Sequence, residues 1–95
     1  MKKIILAALA SALIAGPAAA DGHGVKIGVL LGFTGPIESL APDMALAAEL
    51  AMKEVTDSGA FMGGKSVTAV RGDSTCIDSA AATATAERLI TSDKV

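Results

Sequence analysis

The chain has almost no aromatic side chains: two phenylalanines, with neither tryptophan nor tyrosine, and it holds a single histidine and a single cysteine. Each scarcity removes a class of function. No aromatics interleave with basic residues to stack bases, and ten acidic against eight basic residues leave no cationic footprint for nucleic acid or an anionic membrane. The one histidine, His23, lies between two glycines, and no second histidine or clustered ligand spacing accompanies it. No metal site is therefore expected, and no serine has a base partner in view. A long apolar run is missing too. The stretch Ile4 to Ala15 is about a dozen residues, where a membrane span needs roughly 20.

That short run has its own meaning. It follows the basic Met1-Lys2-Lys3, is broken by Gly16-Pro17, and ends at the small residues Ala18-Ala19-Ala20. Basic start, apolar stretch and A-x-A site make a secretory signal peptide over residues 1–20, cleaved before Asp21. No cysteine stands near Ala20, so a lipid-anchored cleavage site is not expected. Loss of Lys2 and Lys3 leaves six basic against ten acidic residues, moving the formal charge from −2 to −4. It also removes much of what makes the chain 52% hydrophobic.

The remaining residues, 21–95, number about 75, near the lower limit for a chain that buries its own core. Val25 to Leu31 is almost continuously apolar, as in a parallel strand covered on both faces. Pro42 to Asp57 reads as a helix, with Met44, Ala48, Ala51 and Val55 on one face and Glu49 and Lys53 as an i,i+4 pair. Pro42 and Asp43 suit its first turn, and Gly59 suits its C-terminal cap. Ser66 to Arg71 reads as a second strand and Gly72 to Ile77 as a loop. Asp78 or Ser79 is expected to cap a second helix that runs to about Thr91, with Ala82, Ala86, Leu89 and Ile90 available for burial. The order strand, helix, strand, helix predicts an α/β fold: a parallel sheet with flanking helices and right-handed crossovers. Two strands cannot cover both faces of such a sheet. Residues 21–95 are thus expected to be a truncated N-terminal part of a larger lobe.

Several motifs invite a function they do not support. Gly59 to Ser66 matches the phosphate-loop formula G-x-x-x-x-G-K-[ST]. That loop must follow a strand and open a helix, whereas here a helix ends and a strand begins, so a glycine cap and turn is the better reading. Gly28, Gly32 and Gly35 do not make a dinucleotide fingerprint, so no nucleotide or other cofactor is expected. Arg71-Gly72-Asp73 spells a cell-adhesion tripeptide at a strand end, which is read as coincidence. Nothing assembles a catalytic site, and the chain is not expected to be an enzyme.

Gly32 to Leu40 is more informative, because it joins the C-terminal end of the first strand to the first helix. Ligands of open parallel sheets bind at that edge. Free N–H groups at a helix start favour a carboxylate, Thr34 adds a hydroxyl, and Phe33 and Leu40 offer apolar surface. The candidate ligand-binding residues are Phe33, Thr34, Gly35 and Leu40. The same composition also suits a tight Gly-Pro turn that only reverses the chain. Cys76, in the loop after the second strand, is anomalous in an exported protein. It reads as a buried inert thiol, a reactive thiol, or half of a disulfide.

With these residues in place, the chain resembles the start of the leucine/isoleucine/valine-binding proteins, of the type I periplasmic binding-protein fold. The resemblance rests on Ile27 to Pro36, a helix containing Ala48, Leu50, Ala51, Glu54 and Val55, and the turn with Gly59 and Gly63-Gly64-Lys65. It rests equally on Asp73-Ser74-Thr75-Cys76 and the helix ending Ala86-Glu87-Arg88-Leu89-Ile90. It covers Val25 to Val95. The resemblance implies two α/β lobes closing on a small molecule, an amino acid of branched-chain type or a related carboxylate. It implies a periplasmic location and ABC permease subunits as partners. Similar proteins carry an aromatic residue in the first loop, for which the nearest match is Leu40. They also carry a cysteine at the position of Cys76, paired with one after the third strand, which here would lie beyond residue 95. A ligand-sensing receptor domain on the same fold is the alternative expectation.

Overall fold

The computed structural model describes residues 24–95; the leader, its cleavage site and His23 lie outside the described residues. Two strands, β1 (Val25–Leu31) and β2 (Val67–Asp73), alternate with two helices, α1 (Ala41–Ser58) and α2 (Ser79–Thr91). The strands pair in parallel, in register from Val25 opposite Val67 to Leu31 opposite Asp73. The predicted α/β architecture is what the chain adopts, a parallel sheet with a helix on each face.

Strand parity distributes the side chains between the two helices, since successive residues point to opposite faces. On one face Val67 and Arg71 meet α1: Thr56 Oγ1 accepts the Val67 N–H at 2.8 Å, and Glu49 binds Arg71. On the other face, positions 28, 30 and 72 meet α2. Gly28 and Gly72 have no side chain there, and Leu89, 3% exposed, lies over both. A β-carbon on Gly72 would sit 2.7 Å from Thr85 Cγ2 and 2.9 Å from Leu89 Cδ1. The missing side chain is what lets the helix lie so close to the strand.

The packed stripe of α1 differs from the one its sequence suggests. Ala41 and Ala45 are fully buried, and Ala48, Met52 and Thr56 are half-buried on the same side, whereas Met44 and Val55 stay exposed. The helical spacing holds, but the buried face is rotated from the one through Met44 and Val55. Small alanines permit close approach of helix to sheet, and Val55 instead borders an open apolar depression with Ile27, Met52, Phe61 and Val67. Ile90 is likewise exposed, at 62%, on α2. The expected Glu49–Lys53 pair does not form. Glu49 turns to Arg71, and Lys53 pairs with Asp57 one turn further on.

The element ends agree closely with the capping chemistry. Pro42 stands in the first turn of α1 with Asp43, and Gly59 closes the helix at φ 66°. The Asp78 carboxylate caps α2, accepting from the Ala80 and Ala81 amides at 2.8 and 3.1 Å. After α1 a single 3-10 turn, Phe61–Gly63, leads into β2, and Phe61 O accepts from both the Gly64 and Lys65 amides. The order helix, turn, strand rules out a phosphate loop there. One boundary is corrected: β2 runs through Gly72 and Asp73, which the sequence assigned to a loop.

Candidate functional site

Both strands end at the same edge of the sheet, so the β1–α1 loop (residues 32–40) and the β2–α2 loop (residues 74–78) lie side by side. They touch at two places. A β-carbon on Gly32 would lie 2.9 Å from Cys76 Cβ, and one on Gly35 would lie 2.5 Å from the Thr75 carbonyl oxygen. Gly35 has φ 95°, a conformation L side chains rarely adopt, so this glycine is required twice over. Between these contacts Asp73 reaches across: Thr34 Oγ1 donates to Asp73 Oδ2 at 2.6 Å, and the Thr34 amide donates to Oδ1 at 3.2 Å.

Asp73 also holds its own loop. The Thr75 amide donates to Oδ1 at 2.9 Å, and Thr85 Oγ1 donates to the Asp73 carbonyl at 2.8 Å. In that loop Thr75 and Cys76 take left-handed conformations at φ 57° and 67°. The Thr34 hydroxyl, followed by the backbone amides, holds the Asp73 carboxyl below its usual range, because each donor favours the ionised form.

Two residues back on the same face, Arg71 forms a two-pronged pair with Glu49. Nε lies 2.6 Å from Oε1, and NH2 donates to Oε2 at 2.9 Å. The guanidinium carbon lies 5.5 Å from the centre of the Phe33 ring. Arg71 therefore links α1 to the base of the β1–α1 loop by an ion pair and a cation–π contact. Its hydrogen bond to Glu49 lowers the Glu49 pKa, and the same bond raises that of Arg71.

Of the sequence-predicted residues, Phe33 is half-buried beneath Arg71, while Thr34, Gly35 and Leu40 are exposed, Leu40 at 60%. They share the rim of the sheet edge without enclosing a cavity. The open depression at this edge, about 330 Å³, is instead lined by Ser74, Cys76, Ile77, Asp78, Ser79 and Ala82 of the second loop and helix. Cys76 is exposed and unpaired among the described residues.

The start of α1 offers less to an anion than its sequence suggests. The Ala41 amide is bonded to Ile37 O at 3.0 Å and the Met44 amide to Leu40 O at 3.2 Å, and Pro42 has none. Only the Asp43 amide is left in the first turn, beside a like-charged carboxylate. Turns from Gly35 to Leu40 account for this, since they wind into the helix rather than leaving its end open.

Asp73, Arg71 and Glu49 are the residues that sequence reasoning missed. The sequence places Arg71 at a strand end and Asp73 in a loop motif, and gives neither a role at the site. Extending the strand by two residues would have put both on one face, next to the loop. Among the described residues no cluster of histidine, cysteine and acidic groups could hold a metal ion, and no helix is long and apolar enough to cross a membrane.

Comparison with known proteins bears on the whole of this rim. A family model described as "Periplasmic binding protein" matches residues 24–95. The chain is 37% identical, over 97 aligned positions covering all of it, to the Leu/Ile/Val-binding protein homolog 7 of Brucella suis biovar 1. The same identity and coverage hold for the protein of that name from Brucella melitensis biotype 1. The chain spans 23% of the length of these relatives. No solved structure matches it significantly.

Proposed function

Because this chain belongs to the periplasmic binding-protein family, we propose that it forms the opening of the first lobe of the solute-binding component of an ABC importer. The solute is a branched-chain amino acid or a related small carboxylate. The observation that carries this reading is the sheet edge itself: two loops at the C-terminal ends of parallel strands, locked edge to edge by Asp73 and Gly35. Such an edge is where open α/β sheets present ligand contacts, and the names of the relatives supply the solute class.

In this reading residues 1–20 are a signal peptide and 21–95 begin the lobe, in the periplasm. Phe33, Thr34, Gly35 and Leu40 form one wall of an interlobe cleft, with Leu40 presenting its exposed side chain to the solute. Cys76 is bonded to a cysteine outside this sequence. The protein catalyses nothing; it delivers its solute to permease subunits in the inner membrane.

The test is calorimetric titration of the protein as its host produces it with L-leucine, L-isoleucine and L-valine, and with L-leucine amide as a control lacking the carboxylate. Saturable binding of at least one free amino acid, lost in the amide, is the expected result. Heats indistinguishable from dilution across the three amino acids would sink the branched-chain reading.

A further inference from the structure

Between Phe33 and Gly35 the β1–α1 loop has few attachments. The Phe33 amide turns back on Leu31 O, and the next backbone bond within the loop is Glu38 N–H to Gly35 O. Both hydrogen bonds described for Thr34 go to Asp73. The two carboxylate oxygens of Asp73 are correspondingly engaged: Oδ2 by the Thr34 hydroxyl, Oδ1 by the amides of Thr34 and Thr75. One side chain therefore joins the two loops through donors from each, and it stands on the last residue of a strand rather than on either loop.

We propose that Asp73 is the positioning residue of this sheet edge: it fixes the β1–α1 loop against the β2–α2 loop before any solute arrives, without touching the solute itself. The inference rests on the solute-binding reading above for its functional consequence, though not for the loop order it describes. A carboxylate accepting three hydrogen bonds is suited to the task. Charge-assisted bonds are about twice as strong as neutral ones, and a site held by rigid elements loses less freedom when it binds. Arg71 acts at the base of the same loop, through Phe33, and Gly35 allows the close approach that brings Thr34 within reach.

Amide hydrogen exchange of the ligand-free protein, followed over residues 32–40 and 74–78, tests the inference. Asp73→Ala should speed exchange in both segments by about tenfold. Thr34→Val removes only the hydroxyl and should speed exchange in the first segment alone, while Thr34→Ser, which keeps it, should behave as wild type. L-leucine affinity should fall in Asp73→Ala, which leaves every residue of the proposed wall in place. Wild-type exchange in Asp73→Ala, or equal exchange in Thr34→Val and Thr34→Ser, would overturn the proposal. Should Asp73→Ala unfold, as fast exchange in β1 and α2 would reveal, the Thr34 pair decides alone. A wild-type protein that ignores L-leucine would count against the solute reading and leave the exchange comparison to judge Asp73.

Discussion

At Gly72 the packing of α2 on β2 is exposed to a single methyl group. Alanine there would put its β-carbon 2.7 Å from Thr85 Cγ2, 2.9 Å from Leu89 Cδ1 and 3.4 Å from Leu30 Cδ1. Ordinary contact needs about 3.5 Å or more, so α2 must move outward or two side chains must leave their rotamers. Overpacking of this kind costs about 1–3 kcal/mol. The smaller unfolded-state freedom of alanine offsets about 0.4–1 kcal/mol of that, leaving a net loss of about 1–2 kcal/mol. Gly28 is the control, because its nearest neighbours would be the flexible Leu89 Cδ1 at 3.3 Å and Val95 Cγ2 at 3.5 Å. Gly28→Ala should therefore stay within about 0.5 kcal/mol of wild type. A second control locates the clash. Thr85→Ser removes the offending methyl while keeping the hydroxyl that donates to Asp73 O at 2.8 Å. Urea denaturation of the four variants, with Gly72→Ala/Thr85→Ser completing a cycle, gives the coupling directly. If Gly72→Ala is as stable as Gly28→Ala and the double variant is strictly additive, α2 does not pack on β2 as described.

Four further outcomes follow from the same geometry and from the leader. Gly35→Ala should destabilise the protein by more than Gly59→Ala. Both have positive φ, worth about 1–2 kcal/mol for a left-handed alanine, but only Gly35 also meets a backbone oxygen, at 2.5 Å, while Gly59 faces open space; equal urea midpoints would contradict this. Asp73 has a depressed pKa, so its stabilisation is present above the ordinary carboxylate range and is lost as pH falls through the folded value. The stability gap between wild type and Asp73→Asn should therefore close on acidification from pH 7, and a gap unchanged at pH about 2 would refute the assignment. Alkylation of the denatured, unreduced protein should leave Cys76 unlabelled; quantitative labelling shows a free thiol. N-terminal sequencing of the protein as its host produces it should begin at Asp21, and a start at Met1 would remove the signal peptide.

Much of the fold was legible in the chain because its signals are local. The apolar run Val25–Leu31 became a strand with the predicted bounds. Gly59 ends α1, Asp78 caps α2, and the helix-to-strand order around Gly63-Gly64 excludes a phosphate loop. Each of these depends on dihedral preference or on a hydrogen bond within a few residues, which nearby sequence controls. The family was legible for a related reason, since several such signals occur in one order.

What the sequence could not decide is which partner wins when two are available. Glu49 had Lys53 at helical spacing, yet it binds Arg71, 22 residues away, whose planar fork meets both carboxylate oxygens. The apolar spacing of α1 allowed a face through Met44 and Val55, yet the fully buried residues are Ala41 and Ala45. Asp73 reads as a loop residue in the sequence, whereas β2 extends through it. Its reach to Thr34, 39 positions earlier, exists only because parallel pairing brings Leu31 opposite Asp73 and so sets the two loops on one edge. Local chemistry therefore determined the elements and all but the far end of β2, while the register of the sheet determined which side chains meet at the rim.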